Sequence, residues 1–102
     1  MTQHEIILEK IKQLLLDKGF VEKVIKSTSK SETNYVLGDM YCIPRYVGLL
    51  GFLVEYAYSH NDAKNHGYED GDSFPLNIGE DGILNGIEEE IIGNMAYHSK
   101  KF

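Results

Sequence analysis

The sequence predicts a small α+β domain: an antiparallel sheet of about three to four strands combined with an N-terminal helix, a short middle helix and a C-terminal helix. Three observations carry that prediction. An amphipathic 3.6-residue period occupies each end of the chain, short β-branched and aromatic runs lie between them, and glycine, proline and aspartate punctuate those runs. The 102 residues make one domain, 1–102, and 42% hydrophobic with 25% charged residues is a globular composition, which sets aside disordered, collagenous and disulfide-scaffold classes.

Ile7, Leu8, Ile11, Leu14 and Leu15 recur at helical spacing over residues 3–18, with Thr2 and Glu5 in a capping-box pattern and Gly19 as the stop. Residues 20–26 are short and rich in β-branched side chains, a first strand, and 27–32 a polar loop. Residues 34–37 and 40–43 follow, joined at Gly38-Asp39 by a tight hairpin or by a bulge within one longer strand, and Pro44 argues against a regular central strand at its own position. Over residues 49–57 both alternating sets are mostly apolar, so this strand needs cover on both faces, or on one face plus a partner. Ser59 caps a short helix through 62–65 that Gly67 ends, and Glu69 to Ser73 reads as a turn-rich loop leading to Phe74-Pro75-Leu76. Over 80–97, Ile83, Leu84, Ile87, Ile91 and Met95 form one helical stripe, followed by Lys100 and Lys101 where positive charge suits the dipole. Gly82, Gly86 and Gly93 each lower its intrinsic helicity by roughly 1 kcal/mol relative to alanine, so tertiary packing must hold it.

The charge is uneven. Residues 1–54 carry six acids and seven bases, whereas residues 55–102 carry ten acids and three bases, a division of the net −6 into +1 and −7. Such a balance argues against direct nucleic-acid binding, which needs lysine and arginine to displace counterions, and Arg45 is the single arginine. The first residues lack the basic start of a signal peptide, and residues 47–54, the longest apolar run, fall far short of the roughly 18 residues of a membrane span. Together with the lone Cys42, this points to the cytoplasm.

Catalytic and metal patterns are not found. His4, His60, His66 and His98 have no ligand spacing, and Asp70-Gly71-Asp72 opens like a calcium loop but meets Phe74 where an oxygen ligand is needed. Cys42 lies in an apolar strand and reads as core. Glu88-Glu89-Glu90 reads as the outer surface of the last helix. No cofactor, metal or enzymatic activity is expected. What remains is an interface pattern of tyrosines interleaved with acids between residues 55 and 74: aromatic anchors with a polar tip, ringed by charges that suit a basic partner.

The stretch Phe52-Leu53-Val54-Glu55-Tyr56-Ala57-Tyr58-Ser59, then Asp62-Ala63-Lys64-Asn65 and Tyr68-Glu69-Asp70-Gly71-Asp72-Ser73-Phe74-Pro75-Leu76, resembles the small immunity proteins of bacterial polymorphic-toxin and contact-dependent growth inhibition systems. The likeness spans about residues 49–92. It implies a cytoplasmic antitoxin that binds the C-terminal toxin domain delivered by a neighbouring cell, often a nuclease, and blocks it. The expected anchors are Tyr56, Tyr58 and Tyr68, and the expected electrostatic partners are Asp62, Glu69, Asp70, Asp72 and Glu80, all read from the residues rather than carried over from the family. The alternatives are a small carboxylate-based enzyme or ligand-binding domain, and a general acidic adaptor.

Overall fold

The computed structural model describes residues 2–26, 31–65 and 67–101, the last four as backbone. Of the loop expected over 27–32, residues 27–30 lie outside them, as do the side chains of His66, His98, Lys100 and Lys101, whereas Ser31 and Glu32 are strand and not loop, because they pair with Lys26 and Ile25. The first helix, α1 (Gln3–Asp17), starts where the capping box requires: the Thr2 hydroxyl accepts from the Glu5 amide at 3.4 Å and donates to the Glu5 carboxylate at 2.9 Å. Strands β1 (Val21–Lys26), β2 (Ser31–Leu37) and β3 (Met40–Tyr46) follow, then a 3-10 turn at Gly48–Leu50 and strand β4 (Phe52–Ala57). The short helix α2 (His60–Lys64) begins with the Ser59 hydroxyl accepting from the Asp62 amide at 3.1 Å. Strand β5 (Asp70–Phe74), a second 3-10 turn at Leu76–Ile78 and helix α3 (Gly79–Lys101) complete the fold.

The sheet has five strands in chain order, every neighbouring pair antiparallel, where about three to four were expected. The additional strand is β5, whose Asp-Gly-Asp-Ser composition is poor in β-formers and reads as a turn. It is a strand because β4 holds it from Phe52↔Phe74 to Tyr56↔Asp70, with the Glu69 amide bonding to the Tyr56 carbonyl at 3.0 Å beyond its end. Tertiary pairing here overrides propensity.

Directly paired residues share a face, so Tyr35, Cys42, Tyr56 and Asp70 lie on one side of the sheet and Val36, Tyr41 and Ala57 on the other. The first side carries the main core, with Ile7, Ile11 and Leu15 of α1 and Ile83, Ile87 and Ile91 of α3 against Phe20, Met40, Phe52, Val54 and Phe74. Ion pairs Lys10–Glu80 at 2.9 Å and Lys18–Glu88 at 3.3 Å tie the two helices together at their exposed rim. On the second side Ala63 of α2 packs with Ile25, Val36, Tyr41 and Ala57. Of the strand with two apolar faces, the first is fully covered, whereas on the second Ala57 is buried and Leu53 and Glu55 stay partly exposed.

One local alternative is decided and two local expectations are corrected. Gly38-Asp39 is a tight turn between two strands, with Gly38 at φ 60°. Pro44 lies inside β3 opposite Val54; the ladder to β2 stops at Cys42, which leaves a side where a missing N–H costs no ladder bond. The strand expected from residue 49 begins at Phe52, because Gly48 and Gly51 take φ values of 65° and 81° and turn the chain, leaving Leu49 fully exposed.

Gly51 also lets the two loops at this end of the sheet touch: a Cβ there would lie 2.2 Å from the Phe74 carbonyl oxygen and 2.8 Å from the Pro75 Cα. Gly51→Ala is expected to cost at least about 2 kcal/mol, from strain and backbone collision together. Urea denaturation checks this, and an unchanged midpoint would show that the loops do not meet.

Candidate functional site

Three carboxylates that have no cation partner among the described residues, Asp70, Asp72 and Glu90, meet where β5, an edge strand, lies against the C-terminal half of α3. Isoleucines 83, 87 and 91 are buried against the sheet, and Gly86 brings the helix so close that a Cβ would sit 3.0 Å from the Phe74 ring. With that face buried, Glu90 and Asn94, one and two turns beyond Gly86, must lie over β5. They line a cleft of about 210 Å³ with Tyr56, Asp70, Gly71 and Asp72.

The electrostatics of the cleft follow from its construction. Asp70 and Asp72 alternate with Gly71 on β5 and so point to the helix-covered side, and Asp70 accepts a hydrogen bond from the Tyr58 hydroxyl at 2.6 Å. The Tyr56 ring is wholly buried, and its hydroxyl has no partner at hydrogen-bonding geometry; neither does the buried Glu90 Oε1. Burial, then a proton shared with Asp72 and the charges of Asp72 and Asp70, push the Glu90 carboxyl up to about 7, while the Tyr56 hydroxyl acts the other way. Burial is also the first cause that pushes the Tyr56 and Tyr58 hydroxyls up. Among the described residues no lysine or arginine pairs with Asp70, Asp72 or Glu90, and no group of three or more His, Cys, Asp or Glu side chains is arranged to hold a metal ion.

Of the residues expected from sequence, Tyr56, Asp70 and Asp72 line this cleft and Tyr58 joins them through Asp70, while exposed Glu69, outside the lining, reaches Tyr58 only through its charge. Tyr56 offers only its hydroxyl, since its ring is core. Tyr68 and Asp62 lie with the opposite side of the sheet, where the Tyr68 hydroxyl donates to Asn34 Oδ1 at 3.0 Å. Glu80 is in the first turn of α3, roughly 15 Å along the helix from Glu90, and is paired with Lys10. Glu90 and Asn94 were not anticipated. The acidic run was assigned to the helix's outer surface, which describes exposed Glu89, whereas Glu90 is half-buried. Its position three residues after Ile87 and four after Gly86 is the signal that places it at the edge of the buried face.

Cys42 is buried, and burial pushes its thiol up, as fits a core position. No helix among the described residues is long and apolar enough to cross a membrane. No protein-family model, curated protein or solved structure matches the chain.

A carboxyl whose folded pKa lies above its ordinary value stabilises the fold most below the unfolded value, near 4.5, and that contribution is lost as pH rises through about 7. Solvent screening at this half-exposed position reduces the effect to the order of 1 kcal/mol. Glu90→Gln is accordingly expected to become more stable relative to the unsubstituted protein between pH 5 and pH 8, as measured by thermal melts; a constant difference would place the Glu90 carboxyl in an ordinary environment.

Proposed function

We propose that this protein is an immunity-type inhibitor that binds a toxin domain, basic in charge and nuclease-like in class, through the acidic surface formed by β5 and the C-terminal half of α3. The observation that carries this reading is the contrast between acids. Glu55, Glu80 and Glu88 are neutralised by Arg45, Lys10 and Lys18, whereas Asp70, Asp72 and Glu90 converge without a cation among the described residues. Acids on an edge strand also discourage edge-to-edge pairing of sheets. That purpose does not account for Glu90, which belongs to the helix and is half-buried beside two other carboxylates.

A nuclease presents basic residues to phosphates, and an acidic partner can occupy that surface or dock beside it. Charge steers the encounter while buried contacts hold the complex. Tyr97, 56% exposed and within electrostatic reach of Tyr58, supplies aromatic area beside the acids. A cytoplasmic location belongs to the same proposal, because an inhibitor must meet the toxin where it acts. A second reading, a carboxylate-based enzyme, is favoured by one observation, the Glu90 carboxyl titrating near neutrality beside Asp72. A cleft of about 210 Å³ is smaller than the roughly 300–1,000 Å³ typical of small-molecule sites, which favours the protein partner.

The test is co-expression with the toxic C-terminal domain of a secreted protein encoded beside this gene. Growth is expected to recover and the two proteins to bind at micromolar concentration or tighter; no binding there would overturn the proposal. The triple variant Glu69→Lys, Asp70→Lys, Asp72→Lys is expected to slow association about tenfold or more at low salt. Stopped-flow mixing reads the rate, and an unchanged rate would remove β5 from the interface.

A further inference from the structure

The cleft between β5 and α3 is rich in hydrogen-bond acceptors and acidic in charge, with the Asn94 amide and the Tyr56 hydroxyl as its side-chain donors. Asp70, Asp72 and Glu90 contribute carboxylates and Asn94 a side-chain carbonyl, while the wholly buried Tyr56 hydroxyl lines the cleft without a partner. A buried hydroxyl is normally satisfied, so an orphan at the floor of an open cleft marks a place where an incoming group completes the hydrogen bonding. Water fills such a space but brings no charge to offset two carboxylates and a third acid that ionises near neutrality. The group that fits carries several donors, no acceptor and a positive charge, and is planar enough to be shared by carboxylates on two walls. These are the properties of a guanidinium.

We propose that this cleft is a receptor for one arginine side chain of a partner protein, its guanidinium seated between Asp70 and Asp72 on β5 and Glu90 and Asn94 on α3, above the Tyr56 hydroxyl. The volume of about 210 Å³ holds a single long side chain. Gly71 gives the cleft only its backbone, since a Cβ there would point to the opposite side of the sheet, 3.4 Å from Glu55. Tyr58 holds Asp70 in place through its 2.6 Å hydrogen bond, so one carboxylate is oriented before the arginine arrives. The inference rests on the protein-binding reading only for the source of the arginine.

The site also couples to protons. Among the described residues, the titratable groups that face or electrostatically reach Glu90 are Asp70 and Asp72 from β5, Tyr56 from β4 and Cys42 from β3. An entering guanidinium favours the ionised Glu90, so binding releases a proton and strengthens as pH rises from 6 to 8.

The experiment uses the full chain and N-acetyl-arginine methylamide as probe, followed by amide NMR. Saturable shifts are expected at the Gly71 amide and the Asn94 side-chain amide at millimolar probe, with none from the uncharged citrulline analogue. Affinity is expected to fall about tenfold in Glu90→Gln, from loss of a charge-assisted bond, and several-fold in Tyr56→Phe, which keeps the core ring. No saturable shift, equal shifts with citrulline, or saturation of the same signals by magnesium but not by the arginine probe would overturn the proposal. Toxin binding that is unaffected by Glu90→Gln and Tyr56→Phe would also overturn it while leaving the inhibitor reading intact. Probe binding without binding of the toxin would support the cleft's chemistry and overturn the inhibitor reading instead.

Discussion

The arrangement of this molecule depends on how closely α3 lies on the β4–β5 end of the sheet. Ile83, Ile87 and Ile91 are all but completely buried, and Gly86 removes the side chain that would otherwise meet the Phe74 ring at 3.0 Å. A helix so placed has no rotational freedom left: turning it to free Glu90 would expose the isoleucines, at roughly 1.5–3 kcal/mol for each one. Hydrophobic burial thus holds a carboxyl against two others. The raised Glu90 titration and the orphaned Tyr56 hydroxyl are both consequences of that packing.

The same packing separates the acids of the second half of the chain by role. Glu80 and Glu88 face α1 and are matched by Lys10 and Lys18, and Glu55 shares Arg45 with Glu32 across the open side of the sheet. These pairs are partly exposed and stabilise little on their own. They neutralise acids that face α1 and the β3–β4 ladder, whereas the three that converge at the β5 edge have no cation partner among the described residues. A net charge of −7 over residues 55–102 is therefore not a uniform property of that half.

Much of the architecture was legible because burial and capping leave period-specific marks. The Thr2–Glu5 box, the Ser59 cap and the isoleucine stripe of α3 located all three helices, and the apolar run ending at Ala57 signalled a strand with one face in the core and the other covered at Ala57. What escaped is what pairing, and not local composition, decides. Asp70-Gly71-Asp72-Ser73 has the chemistry of a turn and becomes a strand only because β4 offers its edge, and Pro44 is tolerated only because the β2 ladder has already ended. Of the site, the β5 aspartates and their tyrosines stood out as acids interleaved with aromatics. Glu90 and Asn94 did not, because a half-buried carboxyl in an acidic run looks like a solvated one until the partner strand is in place.

The most direct measurement is the carboxyl-carbon NMR titration of Glu90 in the free protein. If α3 holds this side chain against Asp72 and Asp70, its midpoint falls near 7 and moves toward ordinary values when Asp72 is changed to Asn. A midpoint near 4.5 in the unsubstituted chain, insensitive to Asp72, would mean that Glu90 lies out in solvent and that the acidic cleft does not exist as described.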